Sequence, residues 1–397
     1  METVCHVITK LELGGAQEVA LYLVSHLDRS RYRPVLVTGP GGILTDEAQA
    51  IPDVQTVIVP SLCRRIHATG DLLALIKLTF LFRQLRPSIV HTHSSKAGIV
   101  GRWAAWLAGV PVIVHTVHGF GVTPSQPIWL RRFLIMLERV TGRITTHWIT
   151  VAEADLEKGR QWGLFESNAS VIRAGIDPYP FQQPLPPTIR RRLREEFGAG
   201  DGDYLIGTVA CLKPQKAPED FVAVARRVCE HVPHARFVLI GDGVLRPRIE
   251  ALLREYGLQD RVRLAGWRRD IDDAMNSMDA LVLTSHWEGL PRVILEAVSA
   301  GLPIVATNVG GIQEVADCSG RIRLCKAGDI AALADRLETL AHGEDGDHVP
   351  TTDHLDELPR EFHIGEMLER YHTLYDMLLF SASSHAARPT RRSVAKL

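Results

Sequence analysis

Two glutamates, Glu288 and Glu296, flank the start of a predicted helix, with seven residues between them. The apolar run at 280–284 predicts a buried strand before them, and Pro291 followed by Gly301 is the usual order at the two ends of a helix. Ligands of open α/β sheets bind beyond the carboxyl ends of strands, and the free N–H groups of a helix N-terminus suit a phosphate. Glu288 could then accept hydrogen bonds from sugar hydroxyls, and Glu296 could hold another diol such as a ribose. The alternative is an ordinary acid at a helix start and a solvated residue on a helix face.

A second candidate phosphate site is a loop near the amino terminus. Gly14 and Gly15 lie between a predicted strand at 4–9 and a predicted helix that runs to about Leu27. Glycine lets the backbone approach an anion closely, so a strand, turn and helix of this kind could cradle a phosphate. The spacing is neither G-x-G-x-x-G nor a P-loop, and a tight turn explains the two glycines equally well.

Histidines follow two further predicted strands. His118 comes directly after the strand at 110–117, and His91 and His93 end the strand that begins at Ser88. His118 is either a site residue or a buried structural histidine. His91 and His93 are either loop residues of a ligand site or part of the structure.

Strands alternate with helices along the whole chain, which predicts parallel sheets with helices on both faces. A stretch with five prolines, between Gly175 and Thr188, interrupts the alternation and is the best hinge candidate. We therefore expect two Rossmann-like α/β domains facing across a cleft, where ligands prefer to bind. The expected parts are an N-terminal domain at 1–177, a hinge at 178–200, a C-terminal domain at 201–360, a helix at 361–380 that crosses back to the N-terminal domain, and a disordered tail at 381–397.

Composition places the 397-residue chain among ordinary globular proteins, with 46% hydrophobic and 23% charged residues. A formal net charge of −1 gives no indication of nucleic-acid binding. The six cysteines show no C-x-x-C or paired spacing, which indicates reduced thiols in a cytosolic protein. The first residues lack the segments of a signal peptide, and no apolar run reaches ~18 residues, so neither a signal peptide nor a transmembrane helix is expected.

Basic residues are concentrated between 61 and 145. This region has many lysines and arginines but only Asp71 and Glu138 as acids, among leucine, isoleucine, phenylalanine and tryptophan. Such a combination suits an anionic membrane surface or a polyanionic acceptor. Arginines scattered over solvated helix faces are an equally good explanation.

The run from Glu288 to Glu296, continued to the glycine pair at 310–311, resembles the E-x7-E signature of retaining glycosyltransferases of family 4, which have the GT-B fold. Four other elements occur in the family's order: the Gly14-Gly15 loop, the His118-Gly-Phe loop, Lys216 and the Gly-Asp-Gly turn at 241–243. The resemblance covers roughly residues 2–380. The stretches that begin at Ser94 and His115 are most similar to enzymes of bacterial capsule, exopolysaccharide or lipid-linked glycan synthesis.

The resemblance implies transfer of a sugar from a nucleoside diphosphate to an acceptor hydroxyl, with the anomeric configuration retained. The donor should lie on the C-terminal half and the acceptor on the N-terminal half. Carried over by position, it assigns the donor-sugar hydroxyls to Glu288, the ribose to Glu296, the diphosphate to Lys216, Gly289, Leu290, Gly14 and Gly15, and the reacting sugar to His118. No metal is expected, because Lys216 and the helix dipole would stabilise the leaving diphosphate.

One position departs from the family's pattern. Where the family has Gly-Arg-Leu shortly before the lysine, this chain has Ala210-Cys211-Leu212. Cys211 cannot supply the charge of an arginine, and Lys213 is the expected substitute, as a point charge without arginine's bidentate fork. Gln313 is a milder change, at a position where the family often has proline.

The sequence thus predicts a metal-independent hexosyl- or N-acetylhexosaminyltransferase with no separate cofactor. We expect a UDP-sugar rather than a GDP-sugar as donor, a glycan or polyprenyl-linked acceptor, and no nucleic-acid partner. The protein should be cytoplasmic and peripheral on the inner face of the cell membrane, with 61–145 toward an anionic surface. Two alternatives stay open: a non-catalytic GT-B protein that binds a sugar nucleotide, motivated by the missing arginine, and a GT-B epimerase, which needs no acceptor.

Overall fold

The computed structural model describes residues 1–64, 67–123, 126–343 and 358–386, apart from the side chains of 385 and 386. The chain divides into two compact units. The first consists of Met1–Thr150, Leu156–Ile172 and Met367–Leu397, and the second of Val151–Asp155 and Arg173–Glu366.

A parallel sheet forms the centre of the first unit. Its strands are β1 (Glu2–Ile8), β2 (Tyr32–Thr38), β3 (Gln55–Ile58), β4 (Ile89–His93), β5 (Val112–Val117), β6 (His147–Thr150) and β7 (Ala169–Val171). They lie in the order β3-β2-β1-β4-β5-β6-β7. The valine-rich β5 is buried along its whole length, as expected where helices cover both faces of a parallel sheet.

The helices of this unit connect the strands or cover the sheet. They are α1 (Gly15–His26), α2 (Thr45–Ala50), α3 (Ala68–Leu85), α4 (Ser95–Ala108), α5 (Ile128–Gly142), α6 (Glu153–Gln161) and the C-terminal α14 (Ile364–Ala386). Two of these helices belong to the first unit only in part, α6 from Leu156 onward and α14 from Met367 onward. Tyr371 and Tyr375 of α14, one helical turn apart, are both buried in this unit.

The second unit is built around another parallel sheet. Its strands are β8 (Tyr204–Val209), β9 (Ala235–Ile240), β10 (Val262–Gly266), β11 (Ala280–Leu283), β12 (Ile304–Thr307) and β13 (Ile322–Cys325), in the order β10-β9-β8-β11-β12-β13. Its helices are α7 (Pro187–Glu196), α8 (Pro218–His231), α9 (Arg246–Glu255), α10 (Ile271–Ser277), α11 (Arg292–Ser299), α12 (Ile312–Ala316) and α13 (Ile330–His342). A core of buried aliphatic side chains, with Phe221 and Phe237 in edge-to-face contact at 5.8 Å between ring centroids, packs α8 onto this sheet.

Strand order reverses once in each sheet. The chain moves outward from β1 to β3 and then returns to the other side of β1 with β4, and it repeats the pattern from β8 to β10 and back to β11. These two Rossmann-like sheets therefore have topological switch points between β1 and β4 and between β8 and β11. Ligands of such sheets bind at the carboxyl ends of the strands at these points.

The last helix is longer than expected. Residues 381–386, expected in a disordered tail, continue α14, whose preceding turns are anchored by the buried Tyr371 and Tyr375. Within this part of the helix the hydroxyls of Ser383 and Ser384 donate to carbonyls one turn back at 2.9 Å. Residues 387–397 and the acidic stretch at 344–357 lie outside the described residues. Within the expected hinge, Arg194 of α7 is buried and donates to Asp279 at 2.8 Å.

Candidate functional site

The switch point of the second unit brings two loops together at the ends of β8 and β11. The buried hydroxyl of Thr284 donates to the carbonyls of Lys216 and Ala217, each at 3.1 Å. The backbone N–H of His286 donates to the carbonyl of Gln215 at 2.9 Å. These bonds fix the loop after β8 against the loop after β11, although about 70 residues separate them in sequence.

Lys216 and Glu288 form an ion pair at this junction, with 2.5 Å between Nζ and Oε1. Their side chains are 15% and 5% exposed, so the pair is largely withdrawn from water. The amide of Gln215 donates to the other carboxylate oxygen of Glu288 at 3.2 Å and to the carbonyl of Trp287 at 2.9 Å. The sequence did not single out Gln215, which adjoins the expected Lys216 and helps to orient Glu288.

The loop that carries Glu288 also depends on β12 and the glycine pair behind it. The hydroxyl of Thr307 donates to the carbonyl of Ser285 at 2.6 Å, and the N–H of Gly311 donates to the carbonyl of Gly289 at 2.6 Å. Gly310 has φ +58°, and a Cβ there would stand 2.4 Å from the carbonyl oxygen of Glu288. A side chain at position 310 would therefore displace the loop.

Helix α11 starts directly after this loop, with Pro291 at its N-cap and no side chain capping it. A helix N-terminus without a side-chain cap suits an anion, and the phosphate-binding role of Gly289 and Leu290 beside it stays a prediction. Glu296 lies one turn into α11 and is only 14% exposed at its side chain, 3.9 Å from Arg292. Burial raises the pKa of Glu296, and the guanidinium of Arg292 opposes that rise. Glu296 is thus not an ordinary solvated residue of a helix face.

The loop after β8 also contains the position where the family's arginine is missing. Cys211 and Lys213 are both half-buried, and the N–H of Lys213 donates to the carbonyl of Cys211 at 2.8 Å. Gly241 packs against this loop with φ +133°, and a Cβ at that position would stand 2.1 Å from the carbonyl oxygen of Ala210. The Gly-Asp-Gly turn therefore supports the loop through a close backbone approach that only glycine permits.

The remaining predicted site residues belong to the first unit. Gly14 and Gly15 follow β1, and α1 begins at Gly15 without a side-chain cap. At the end of the adjacent β4, the hydroxyls of Ser94 and Thr9 are hydrogen-bonded at 2.8 Å, and α4 is likewise uncapped. The two helix N-termini therefore lie at the carboxyl ends of neighbouring strands.

His118 follows β5, and its Nε2 is 3.0 Å from Nδ1 of His93. Burial lowers the pKa of His118 to about 4, so the imidazole is neutral at pH 7. His91 and His93, whose place was left open by the sequence, are both fully buried on β4. His91 and His93 are two residues apart on a strand, so their side chains lie on the same face of the sheet. This spacing is the sequence signal that relates the two histidines.

Comparisons with known proteins agree with this architecture. A family model described as Glycosyltransferase Family 4 matches residues 13–179, and one described as Glycosyl transferases group 1 matches residues 189–354. A UDP-Gal:alpha-D-GlcNAc-diphosphoundecaprenol alpha-1,3-galactosyltransferase of Escherichia coli is 35% identical over 313 residues, 78% of this chain and 80% of that protein. The chain belongs to glycosyltransferase family 4. This glycosyltransferase is also 30% identical over 220 residues to the Vi polysaccharide biosynthesis protein VipC/TviE of Salmonella typhi, across 53% of this chain and 37% of that protein.

The fold of this family 4 enzyme is shared with solved structures. The crystal structure of Anabaena Alr3699/HepE in complex with UDP-glucose aligns with a TM-score of 0.78 at 20% identity and covers 95% of this chain and 100% of that one. The predicted GT-B fold, with two parallel-sheet Rossmann-like units, is therefore confirmed.

Proposed function

We propose that this glycosyltransferase moves a hexose or N-acetylhexosamine from a UDP-sugar to a lipid-linked glycan, with the anomeric configuration retained. The observation that carries the proposal is the Lys216–Glu288 pair at the β8/β11 switch point, 2.5 Å apart, between the loop after β8 and the uncapped start of α11. A cation, a carboxylate and a helix N-terminus at one sheet edge match the charges and hydroxyls of a nucleoside diphosphate sugar.

Each group would have one part in binding the donor. Lys216 and the N–H groups of Gly289 and Leu290 would neutralise the diphosphate as negative charge develops on it, without a metal ion. Glu288 would accept hydrogen bonds from the donor sugar. Glu296 would accept them from the ribose, since it lies a turn further along α11.

Lys213 would supply the second positive charge near the diphosphate, in place of the arginine that Cys211 replaces. It is half-buried in the same loop as Lys216, three residues away. The predicted roles of Gly14, Gly15 and His118 concern the first unit and stay predictions.

The acceptor is proposed from the relatives and from the surface of the first unit. The Escherichia coli relative is named for an acceptor on diphosphoundecaprenol, a lipid carrier. An enzyme that acts on such a carrier has to work at the inner face of the cell membrane. In the described part of the chain, every helix is too short or too polar to cross a bilayer, so we propose peripheral docking.

Helix α5 offers the surface for docking. Its Trp129, Phe133, Met136 and Val140 recur at helical spacing on one face and are 39–68% exposed. The exposed arginines 132 and 139 flank this apolar stripe. Helix α3 has another exposed apolar face, on which Phe80 is 61% exposed. Apolar faces bordered by arginine suit an anionic lipid surface.

Not all of the basic residues predicted for this surface contribute to it. Arg102 is fully buried and paired with Glu138 at 2.6 Å, and Lys96 is 13% exposed and paired with Asp71 at 2.5 Å. Both therefore stabilise the first unit internally. The docking proposal rests on Arg132 and Arg139 of α5, which are exposed.

A transfer assay tests the proposed reaction. The purified enzyme is incubated with radiolabelled UDP-galactose, UDP-glucose or UDP-N-acetylglucosamine and with α-GlcNAc-diphosphoundecaprenol, and the organic phase is counted. We expect one donor to label the lipid, and we expect Glu288→Ala to abolish the labelling while the fold is intact by circular dichroism.

The two alternative functions give different results in the same assay. A non-catalytic binder would bind a UDP-sugar in a thermal-shift measurement but label no acceptor, and an epimerase would convert the free UDP-sugar without any acceptor. Either result would contradict the proposal, as would full turnover by Glu288→Ala.

A further inference from the structure

A continuous chain of buried hydrogen bonds runs from His118 into the core of the first unit. Nδ1 of His93 contacts Nε2 of His118 at 3.0 Å, and Nε2 of His93 contacts Nδ1 of His6 at 3.1 Å. Nε2 of His6 is 3.4 Å from the hydroxyl of Tyr375 on α14, which is 2.5 Å from Nδ1 of His91. The chain therefore links a predicted site residue to the C-terminal helix.

The hydroxyl groups of Thr116 and Tyr371 extend the chain of hydrogen bonds beyond His91. Nε2 of His91 is 2.7 Å from the hydroxyl of Thr116, which is 3.3 Å from the hydroxyl of Tyr371. Both hydroxyl-bearing side chains are fully buried or nearly so. Among the described residues, Tyr371 has Thr116 as its hydrogen-bond partner, so the chain ends there.

His6, His91 and His93 lie close enough together to suggest a metal site. However, all six ring nitrogens of these histidines already have partners within the chain of hydrogen bonds. An ion would have to break several of these buried bonds at once. The cluster therefore fits a hydrogen-bonded network better than a set of metal ligands.

Burial determines the charge of the network. It lowers the pKa of His6 to about 3 and that of His118 to about 4, and it lowers the pKa values of His91 and His93 well below 6.5. All four imidazoles are neutral at pH 7. A neutral imidazole carries one N–H donor and one acceptor nitrogen, so every ring in the chain has to donate on one side and accept on the other.

Counting protons shows in which direction the groups of this chain donate their hydrogen bonds. Apart from His118, six groups supply one proton each, and there are six hydrogen bonds, between Tyr371, Thr116, His91, Tyr375, His6, His93 and His118. If the direction runs from Tyr371 toward His118, each group donates once and every proton is used. In the opposite direction a buried hydroxyl proton, on Tyr371 or Thr116, is left without an acceptor among the described residues. Buried donors are rarely left in that state.

We propose that His93, His6 and Tyr375 are positioning residues that fix His118 as its Nδ1–H tautomer. His93 Nδ1–H donates to His118 Nε2, and the proton of His118 lies on Nδ1, the nitrogen outside the chain. Nδ1–H is then a fixed hydrogen-bond donor for an oxygen of the substrate, and His118 does not act as a general base through that nitrogen. This inference rests on the proposed transferase function and on the predicted role of His118 beside the reacting sugar.

The tautomer can be measured without any substrate. With ¹⁵N-histidine labelling, long-range ¹H–¹⁵N spectra distinguish a protonated from an unprotonated ring nitrogen, and His118→Gln identifies the His118 signals by their loss. We expect protonated Nδ1 and unprotonated Nε2 for His118, and the same for the three histidines of the chain. Free neutral histidine in water prefers the Nε2–H form, so the expected pattern is not the default. Protonated Nε2 on His118 would overturn the inference.

A set of variants tests the positioning role in turnover. His93→Ala removes the donor to His118, and we expect kcat to fall about 100-fold with little change in KM, as for a misplaced site residue. His93→Asn keeps an amide at the place of Nδ1 and should recover at least about tenfold of the loss. His147 is also buried in this sheet, but its Nε2 is hydrogen-bonded to the hydroxyl of Ser170 at 2.9 Å and is not part of the chain of hydrogen bonds. His147→Ala therefore controls for the loss of a buried imidazole and should leave kcat near the wild-type value.

The outcomes separate this inference from the proposed function. If His93→Asn recovers nothing over His93→Ala, or if His147→Ala loses as much activity, the role of His93 is structural only and the inference fails. If His118→Ala keeps full turnover while the spectra show protonated Nδ1, the tautomer stands and the proposed role of His118 fails instead.

Discussion

Lys216→Ala should weaken the binding of UDP more than the loss of one surface charge would. Lys216 is held 2.5 Å from Glu288 before any ligand binds, and its side chain is 15% exposed. An ammonium already ordered in this way has little rotamer freedom left to lose when a diphosphate binds. Most of the contact energy therefore appears as affinity.

The size of the effect follows from the kind of contact. A hydrogen bond to a charged group contributes roughly 1.5–3 kcal/mol, which corresponds to a dissociation constant roughly 10- to 150-fold higher in the variant. Removing Lys216 also leaves the carboxylate of Glu288, 5% exposed, to repel the diphosphate. The result should therefore lie toward the upper end. The double variant Lys216→Ala with Glu288→Ala lacks this repulsion and should bind UDP more tightly than Lys216→Ala alone.

Isothermal titration calorimetry with UDP measures both effects. Lys326→Ala is the matched control, because Lys326 is an exposed lysine of the same unit. Its affinity should stay within about threefold of the wild type. If Lys216→Ala also stayed within that range, or if the double variant bound UDP no better than Lys216→Ala, the placement of the diphosphate at this ion pair would be refuted.

Three further predictions concern stability, catalysis and the membrane. His6 has a pKa of about 3 in the folded protein but protonates below pH ~6.5 once unfolded, so its burial should lower stability by about 2 kcal/mol between pH 7 and pH 5. Burial also lowers the pKa values of His91 and His93, which should add to this loss; urea midpoints that do not change between pH 7 and 5 would contradict this. Glu288→Gln should lower kcat strongly while UDP alone still binds by calorimetry, because the carboxylate is proposed to contact the sugar. If kcat and the affinity for UDP fell by the same factor, Glu288 would contact the nucleotide instead of the sugar. The double variant Trp129→Ser with Phe133→Ser on α5 should abolish co-flotation with anionic liposomes at low salt. The control Trp267→Ser changes a tryptophan that is 40% exposed on the second unit and should leave co-flotation intact. If the α5 variant still floated with the liposomes, this face of α5 would be excluded as the docking surface.

The strand, loop and helix around Glu288 could be predicted because their signals are local. The apolar run before the loop, Pro291 at the N-cap and the closing Gly301 fix β11 and α11 to within a few residues. The contact between Lys216 and Glu288 could not be derived from spacing, since it depends on β8 and β11 being neighbours in the sheet. Strand order is set by packing of the whole unit, and only the family resemblance pointed to both residues.

The histidine chain shows a second limit of sequence patterns. The alternation of His91 and His93 on β4 was visible, but their partners come from β1 and from α14, far away in sequence. Nothing local indicates that Tyr375 lies beside them. The start of the expected tail was placed too early for another reason. Residues 381–386 are low in hydrophobicity, yet they continue a helix that is already anchored by buried tyrosines.

The anomeric configuration of the product tests the central claim most directly. The product formed from an α-linked UDP-sugar and α-GlcNAc-diphosphoundecaprenol is isolated, and the coupling of its new anomeric proton is measured by ¹H NMR. The account predicts a single new α-linked sugar on the lipid-linked acceptor. A β-linked product, or no transfer from any UDP-sugar by an enzyme that binds UDP, would contradict it.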